Sequence, residues 1–558
     1  MQKSVLTEDG VFDAERERFP VLRNSAYLRT GSTGAVPDYV YDAVQKYQDD
    51  RCFVGGDSSW DGMDTLQMMA RSKQALGEMF HCPADGIAFG LNSSSMMNIF
   101  VQGLDLGPGD NVVLSEDVFA SCRYAWQFAA RGGLELRYAA THGGSLDAGD
   151  IEAACDENTK VVFLCHVESA TGFRADVERI GKYCRQNGIL FALDVVHTAG
   201  AFPIHVEAQC IDFLTGNDYK WMMGFCGCGF AYFSPQLLRR IRAQGAGWMS
   251  DSERFHTEKK HFEQRSDAGK YELGYPNAPG IRALGLVAER YVSLGAQNVE
   301  RRILDLTEYF YQQAQAAGLE LLYHFPRRNR SGLVSLKLSA HSGVTVDKLE
   351  RMGVMVDGGL HGESYHLRVS LHYFNNREDI DKLFGAISAL MNGKTVISDG
   401  RQKTMNAEKK LAEMGIELSG GTSPVANYVS VCRTGNLLFL SGAGSFDASG
   451  VPTIKGKLGG SVSVEEGYQC ARNAAIALIS NIKREIGDLD KVVRVVKLVG
   501  FVASAPEFDK QPAVINGASD LFVDVFGDAG RHARSAVGVA ALPMDLPVEV
   551  EAVVEVDG

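Results

Sequence analysis

The stretch LFALDVVHTAG, residues 190–200, indicates the fold of the larger part of this chain. It is a short apolar run that ends at Asp194 and leads into a turn. Comparable runs lie between about residues 112 and 233, where they alternate with amphipathic helical patterns. This alternation predicts an α/β architecture of strand-helix units on a mostly parallel sheet. Ligands bind such sheets at the carboxyl ends of the strands, where Asp194 stands.

Two further motifs lie at the ends of predicted strands. The segment TGNDYKWMMG, residues 215–224, places Lys220 among apolar neighbours that can lower the pKa of its amine. The segment FGLNSSSMMNIF, residues 89–100, places three serines where a helix begins, and free N–H groups there favour a phosphate. An acid such as Asp194 can keep a pyridine nitrogen protonated. Together these features match the needs of pyridoxal phosphate.

Each motif also has an ordinary structural interpretation. A strand-end Asp can be a helix cap, a serine run can be a turn, and a lysine can extend its amine to solvent. The order and spacing of the motifs favour the cofactor. Over about residues 24–390 they resemble the class V aminotransferase superfamily of fold-type I pyridoxal-phosphate enzymes, which includes cysteine desulfurases, kynureninases and isopenicillin-N-epimerase-like proteins.

The resemblance implies a role for individual residues. Lys220 would form a Schiff base with pyridoxal phosphate, Asp194 would pair with the ring nitrogen, and Arg368 would receive the substrate α-carboxylate. The other implied contacts are a stacking ring, groups near the phenolic oxygen, and phosphate ligands, some facing a partner subunit: Phe119, Ser169, His197, Ser93, Ser94, Asn217, Tyr219, Trp248 and Tyr275. Phe119 and His197 could instead be core residues, and Arg368 a solvated strand residue.

The sequence departs from the family pattern in two places. Tyr275 stands where many relatives carry threonine. Cysteine desulfurases carry a nucleophilic cysteine shortly before the carboxylate arginine, whereas this chain has no cysteine between Cys228 and Cys432. The turn VDGGLHGESYH, residues 356–366, occupies that region, so persulfide transfer by that route is disfavoured. Side-chain specificity is expected to lie in this turn and in YLRTGSTG, residues 27–34, with Arg29 and Ser32.

The chain is predicted to have three segments. Residues 1–392 form the pyridoxal-phosphate domain, with a large subdomain over about 30–287 and a small α+β subdomain over about 288–392 plus the N-terminus. A long helix is expected to begin near residue 288. The polar residues 393–404 are the candidate linker. Residues 405–558 alternate strands around one long helical pattern and predict a separate α+β domain.

The last segment resembles the Rid (YjgF-like) family, with a chorismate-mutase-like fold, over about residues 407–556. Its run GRHARSAVGVAALPMDLPVEVEAVVEV, residues 530–556, places Arg534 and Glu549 fifteen positions apart. Spacing alone permits a surface ion pair between neighbouring strands. The resemblance instead implies that Arg534 binds a carboxylate and Glu549 acts as acid or base. Tyr428, Ser441 and Asn516 are the other implied members of this pocket.

Composition limits the classes of partner. The 56 Lys and Arg against 69 Asp and Glu give a net charge of −13, which disfavours nucleic acid. Apolar runs are too short to span a membrane, and the first residues lack the apolar core of a signal peptide, so a cytoplasmic location is expected. The 11 cysteines show no paired CxxC blocks, and no metal site is expected.

The two resemblances favour one functional hypothesis. The first domain would remove a β-substituent from an amino acid, and the Rid domain would hydrolyse the resulting enamine or imine to a keto acid and ammonia. An aminotransferase or epimerase shares the same cofactor residues, and the Rid domain could instead bind a ligand or act as a scaffold. Fold-type I sites form between two subunits and Rid pockets between three, so a homodimer or a hexamer is expected.

Overall fold

A computed structural model describes residues 8–55, 64–256, 258, 260–361, 363–392, 407–418, 427–447 and 449–557. The chain divides into two compact units, Met1–Asp399 and Gly400–Gly558. The predicted linker, residues 393–404, lies outside the described residues. No helix in the described ranges combines the length and the apolar character needed to cross a membrane.

The first unit contains most of the regular structure. Its helices are α1 (Glu8–Arg16), α2 (Asp38–Asp49), α3 (Thr65–Phe80), α4 (Ser93–Gly103), α5 (Ala120–Ala129), α6 (Ala148–Ala154), α7 (Val177–Gln186), α8 (Pro235–Arg240), α9 (Ala278–Leu294), α10 (Ala296–Ala316), α11 (Val346–Arg351) and α12 (Arg377–Met391). Its strands are β1 (Ala26–Tyr27), β2 (Ile87–Gly90), β3 (Asn111–Ser115), β4 (Glu135–Ala139), β5 (Thr159–Cys165), β6 (Leu190–Asp194), β7 (Phe213–Asn217), β8 (Gly229–Phe233), β9 (Glu320–Leu321), β10 (Leu333–Ser339), β11 (Val354–Met355), β12 (Asp357–His361) and β13 (Ser364–Ser370).

Seven strands form the central sheet of this unit, in the order β2-β8-β7-β6-β5-β3-β4. Strand β8 runs antiparallel to both neighbours, and the other pairs are parallel. The inner strands are buried along almost their whole length because helices cover both faces of the sheet. The predicted mostly parallel α/β sheet is confirmed, and β6 and β7 lie near its middle.

A smaller sheet, β12-β13-β10-β9, is antiparallel and packs with α10, α11 and α12. Strand β1 pairs with β11, so the segment after residue 27 lies beside the turn that precedes β12. The expectation of one long helix beginning near residue 288 is wrong. Helix α9 already begins at Ala278, and Gly295, with φ of +84°, ends it before α10 begins.

The second unit has its own sheet and core. It contains α13 (Ala407–Glu413), α14 (Val464–Ile486), α15 (Gln511–Phe526), β14 (Val431–Thr434), β15 (Leu437–Ala443), β16 (Val492–Ala503), β17 (Ala533–Val539) and β18 (Val548–Val556). The strand order is β14-β15-β18-β16-β17, and only the β16-β17 pair among these described strands is parallel. Helices α14 and α15 cover one face, which confirms a separate α+β domain.

Candidate active site

Asp194 lies at the carboxyl end of β6, next to the ends of β5 and β7. Its carboxylate is buried and accepts the N–H of Val196 at 2.7 Å and the thiol of Cys122 at 3.4 Å. Burial raises the pKa of Asp194, while the Val196 N–H, the Cys122 thiol and Lys220 act in the opposite direction. A protonated pyridine nitrogen is the type of partner that would hold this buried carboxylate ionised.

Lys220 follows β7 and extends its amine toward the same sheet edge. Its Nζ lies 3.5 Å from Nε2 of His197 and 5.7 Å from the ring centre of Phe119. Burial lowers the pKa of Lys220, Asp194 opposes this effect, and Arg368 adds to it. The structure therefore brings Lys220, His197 and Phe119 together and favours a neutral amine.

The hydrogen bonds of His197 determine which ring nitrogen carries the proton. The indole Nε1–H of the fully buried Trp221 donates to Nδ1 of His197 at 3.1 Å. Burial lowers the pKa of His197 well below its usual value, so the ring is neutral. A neutral imidazole that accepts at Nδ1 carries its hydrogen on Nε2. This assignment makes Nε2 of His197 a donor directed at Lys220.

The start of α4 is the phosphate-binding candidate. Asn92 caps this helix and accepts the N–H of Ser95 at 2.8 Å, while the hydroxyl of Thr215 on β7 lies 3.5 Å from the carbonyl of Ser93. The first N–H groups of a helix have no acceptor within it, and those of Ser93 and Ser94 are placed to bind an anion. The helix start thus lies beside the edge that holds Asp194.

Asn217 is the last residue of β7, and Tyr219 directly precedes Lys220. The side chain of Asn217 is buried at the end of β7, and its Oδ1 has no hydrogen-bond partner among the described residues. An unsatisfied buried amide oxygen is costly, and a bound polar group would satisfy it. The ring centre of Tyr219 lies 5.9 Å from Nζ of Lys220. Pyridoxal phosphate fits this arrangement of amine, carboxylate and helix terminus.

Arg368 lies on β13 at the opposite side of the site. It donates to the carbonyl of Ser169 at 3.2 Å and to the hydroxyl of Ser32 at 2.7 Å, and it lies 3.3 Å from the carboxylate of Asp357. Ser32 in turn donates to Asp357 at 2.7 Å. These contacts hold the guanidinium over the end of the segment that follows β5. Arg368 and Asp357 both act on the pKa of Lys220, the first lowering it and the second raising it, so the predicted carboxylate-binding residue lies near Lys220.

Sequence reasoning missed several residues of this site. Trp221 follows Lys220 directly in the sequence. Asp357 belongs to the segment 356–366 that was expected as a turn, most of which the structure forms into the paired strands β12 and β13. Nothing in the sequence around Cys122 indicated its contact with Asp194. Glu168 precedes Ser169 and is buried, and burial raises the pKa of Glu168 to about 8 with further effects from nearby carboxylates.

Two predicted cofactor contacts lie elsewhere within a single chain. The Tyr275 hydroxyl lies 2.9 Å from the hydroxyl of Thr65, and the ring of Trp248 lies 6.4 Å from that of Phe255. Both Tyr275 and Trp248 remain exposed. A role of Tyr275 and Trp248 toward the cofactor of a partner subunit stays a prediction.

In the second unit, Arg534 donates to Oδ1 of Asn516 at 2.8 Å and to the hydroxyl of Ser519 at 3.0 Å on α15. Arg534 also stands opposite the buried Leu498 of β16. Both observations place Arg534 on the helix-covered side of the sheet, at its β17 edge. The predicted pairing of Arg534 with Asn516 in one pocket is consistent with this contact.

Glu549 lies on the other face of this sheet. It alternates with the buried Val548 and Val550 along β18, and its carboxylate packs against Gly442. Burial raises the pKa of Glu549, and Glu551 adds to the effect. The idea of an ion pair between neighbouring strands, with Arg534, is wrong because β16 separates β17 from β18.

Tyr428 and Ser441 line a concavity of about 480 Å³, together with Phe439, Lys497 and Glu551. Glu551 follows Glu549 by two positions on β18 and therefore faces the same side of the sheet, so this group lies on the Glu549 side. The five residues predicted for the Rid pocket therefore fall into two sets within one chain.

Comparisons with known proteins find a matching family for each of the two units. The model of a family described as aminotransferase class-V matches residues 26–383, and that of a YjgF/chorismate mutase-like family matches residues 408–554. A cysteine desulfurase of Haloferax volcanii is 28% identical over 421 residues, covering 68% of this chain and 96% of the relative. Protein TCP17 of Trypanosoma cruzi is 45% identical over 165 residues, covering 29% of this chain and 99% of the relative.

Solved structures support the fold of the first unit. The apo structure of a cysteine desulfurase from Thermococcus onnurineus has a TM-score of 0.63 at 22% identity and covers 70% of this chain and 100% of its own. A complex of the cystine C-S lyase C-DES with its product cysteine persulfide has a TM-score of 0.61 at 21% identity, covering 67% and 99%. The first unit thus has the fold of pyridoxal-phosphate enzymes of fold type I.

Proposed function

This chain belongs to the aminotransferase class-V family through residues 26–383 and is a pyridoxal-phosphate enzyme, and on that premise we propose that it is an amino-acid β-lyase. Its YjgF-like domain, residues 408–554, would hydrolyse the enamine or imine that the first domain releases. The observation that carries this proposal is the fusion of the two domains in a chain without a cysteine between Cys228 and Cys432.

The residues that hold the cofactor are those at the ends of β6 and β7 and at the start of α4. When bound, pyridoxal phosphate withdraws electrons from the substrate α-carbon and makes the α-proton acidic. Asp194 would keep the ring nitrogen protonated, Ser93 and Ser94 would bind the phosphate, and Phe119 would cover the ring. Ser169 and the Nε2 hydrogen of His197 would approach its phenolic oxygen.

Substrate orientation and proton transfer fall to Arg368 and Lys220. Arg368, held by Ser32 and Ser169, would bind the α-carboxylate and position the α-hydrogen near the amine. Because burial lowers the pKa of Lys220, its free amine can accept that proton. The bond to the β-substituent then breaks, and the leaving group departs with the bonding electron pair.

The released product would be a 2-aminoacrylate that tautomerises to an imine. Water adds to the imine carbon, and ammonia leaves to give a keto acid. Arg534 would bind the carboxylate and Glu549 would act on the water. A linked domain meets this product at a raised effective concentration.

Because Arg534 and Glu549 lie on opposite faces of the sheet, their positions indicate how copies of this domain assemble. A pocket that uses both side chains needs Arg534 of one copy and Glu549 of another. We infer that the YjgF-like domains assemble as trimers and the first units as homodimers, which together make a hexamer. Light scattering of the native protein measures this, and a monomer would contradict the inference.

An aminotransferase or an epimerase would use the same residues around Lys220. Elimination differs because the cofactor regains its starting form in every turnover, so no acceptor keto acid is needed. The test mixes the enzyme with cysteine conjugates and O-substituted serines whose side chains are uncharged, and follows keto acid without an added acceptor. The Lys220→Ala variant is the control for uncatalysed release. Strict dependence on an added keto acid would overturn the lyase proposal.

A further inference from the structure

Asp357 lies between two arginines at the substrate side of the site. Its Oδ2 is 3.3 Å from Nη2 of Arg368, and its Oδ1 is 3.7 Å from Nε of Arg29. The Ser32 hydroxyl bridges Asp357 and Arg368. Only 16% of the Asp357 side chain is exposed, so solvent screens its charge weakly.

On one side of Asp357, the positive charge of Arg29 already has negative partners. Arg29 is paired with Asp357 and lies 4.0 Å from the more exposed carboxylate of Glu350. Arg368 shares Asp357 but keeps further donors for a ligand. Asp357, Arg29 and Arg368 together carry one net positive charge, so a single carboxylate bound to Arg368 neutralises these three groups, whereas a second anion makes the cluster negative.

We propose that Asp357 makes this site select amino acids whose side chain carries no negative charge. The inference rests on the proposed function, because it takes Arg368 as the receptor of the α-carboxylate. The β-substituent of an amino acid is close to that carboxylate, so an anion on the side chain is brought near Asp357. Like charges held together in a partly desolvated site are strongly disfavoured.

The test uses a pair of nearly isosteric ligands, L-asparagine and L-aspartate. Each is titrated into the holoenzyme while the absorption of the cofactor is followed, so turnover is not required. The wild type should bind asparagine at least about tenfold more tightly than aspartate. Asp357→Asn keeps an acceptor for Ser32 but removes the charge, and it should reduce this ratio by about tenfold.

Two further variants sharpen the assignment. Glu350→Gln removes an acid near Arg29 that is 49% exposed, and it should leave the ratio within about twofold of the wild type. In Asp357→Asn, Arg29 loses its Asp357 partner and can attract the side chain of aspartate. Adding Arg29→Gln to this variant should therefore cancel the increase in aspartate affinity.

The possible results distinguish a failure of the inference from a failure of the proposed function. An equal ratio in the wild type and in Asp357→Asn, with both ligands bound, overturns the inference and leaves the lyase proposal standing. If neither ligand perturbs the cofactor absorption in either protein, Arg368 does not receive α-carboxylates. The assignment of Arg368 and the inference built on it then fail together.

Discussion

The indole N–H of Trp221 donates to Nδ1 of His197 at 3.1 Å and thereby directs the Nε2 hydrogen of His197 toward Lys220. Trp221 is itself held in place. Its ring stacks on His372 with centroids 5.2 Å apart, and its carbonyl accepts from Nε2 of His372 at 3.1 Å. One buried hydrogen bond thus sets the donor that faces Lys220.

Trp221→Phe should keep the packing but remove this hydrogen bond. The imidazole of His197 could then place its proton on either nitrogen, and donation to the phenolic oxygen of the cofactor would weaken. We expect the pKa of the bound cofactor's chromophore to rise by about one unit, as measured by an absorption titration. His197→Gln, which retains a donor, should shift it less, and a curve for Trp221→Phe identical to the wild type would refute the role.

Borohydride reduction should attach the cofactor to Lys220. A reduced Schiff base is a stable amine that peptide mass mapping locates. Lys270 is a matched internal control, because it is also buried with a pKa lowered by burial, yet its amine donates to the carbonyls of Leu238 and Ile241. An adduct on Lys270, or none on Lys220, would contradict the assignment.

Relative to the wild type, Glu168→Gln should stabilise the first unit increasingly as pH rises. Folding raises the pKa of Glu168 from 4.5 to about 8, so between these values the folded state holds a proton that the unfolded state has lost. The wild type therefore loses stability with rising pH, by roughly 3 kcal/mol between pH 4.5 and pH 7. The variant lacks this loss.

Tryptophan fluorescence during urea unfolding of the apoprotein measures this effect. All 4 tryptophans precede residue 249, so the signal reports the first unit. The exposed Glu157→Gln is the control and should show the pH dependence of the wild type. A difference between Glu168→Gln and the wild type that stays constant with pH would count against the raised pKa.

Arg534→Ala and Glu549→Ala should each leave elimination in the first domain intact but prolong the life of the imine. Trapping of the intermediate over time measures this, and Arg531→Ala, which alters an exposed arginine of the same segment, should match the wild type. Identical courses in all proteins would favour a ligand-binding or scaffolding domain.

Co-expression of Arg534→Ala and Glu549→Ala chains tests whether the pocket lies between copies. Random assembly should restore about one quarter of the sites, since each needs an intact arginine and an intact glutamate from different chains. A pocket built within one chain would regain none.

The order of strands and helices in both units could be predicted from local patterns. Apolar runs such as 190–194 and 213–217 report buried strands, and residues that follow such runs must stand at one edge of a parallel sheet. Asp194, Lys220 and the serines at the start of α4 were therefore within reach of sequence reasoning. The start of α9 was missed although Asn277 and Pro279 are helix-start signals, and its end was missed although Gly295 is a stop signal.

Contacts between remote segments were decided by the tertiary structure. Asp357 meets Arg29 because β1 pairs with β11, and Trp221 meets His197 because two loops at adjacent strand ends pack together. Strand order likewise separated Arg534 from Glu549 by inserting β16 between β17 and β18. Local sequence reports which face or end of an element a residue occupies. Which other element lies beside it depends on how the whole chain packs.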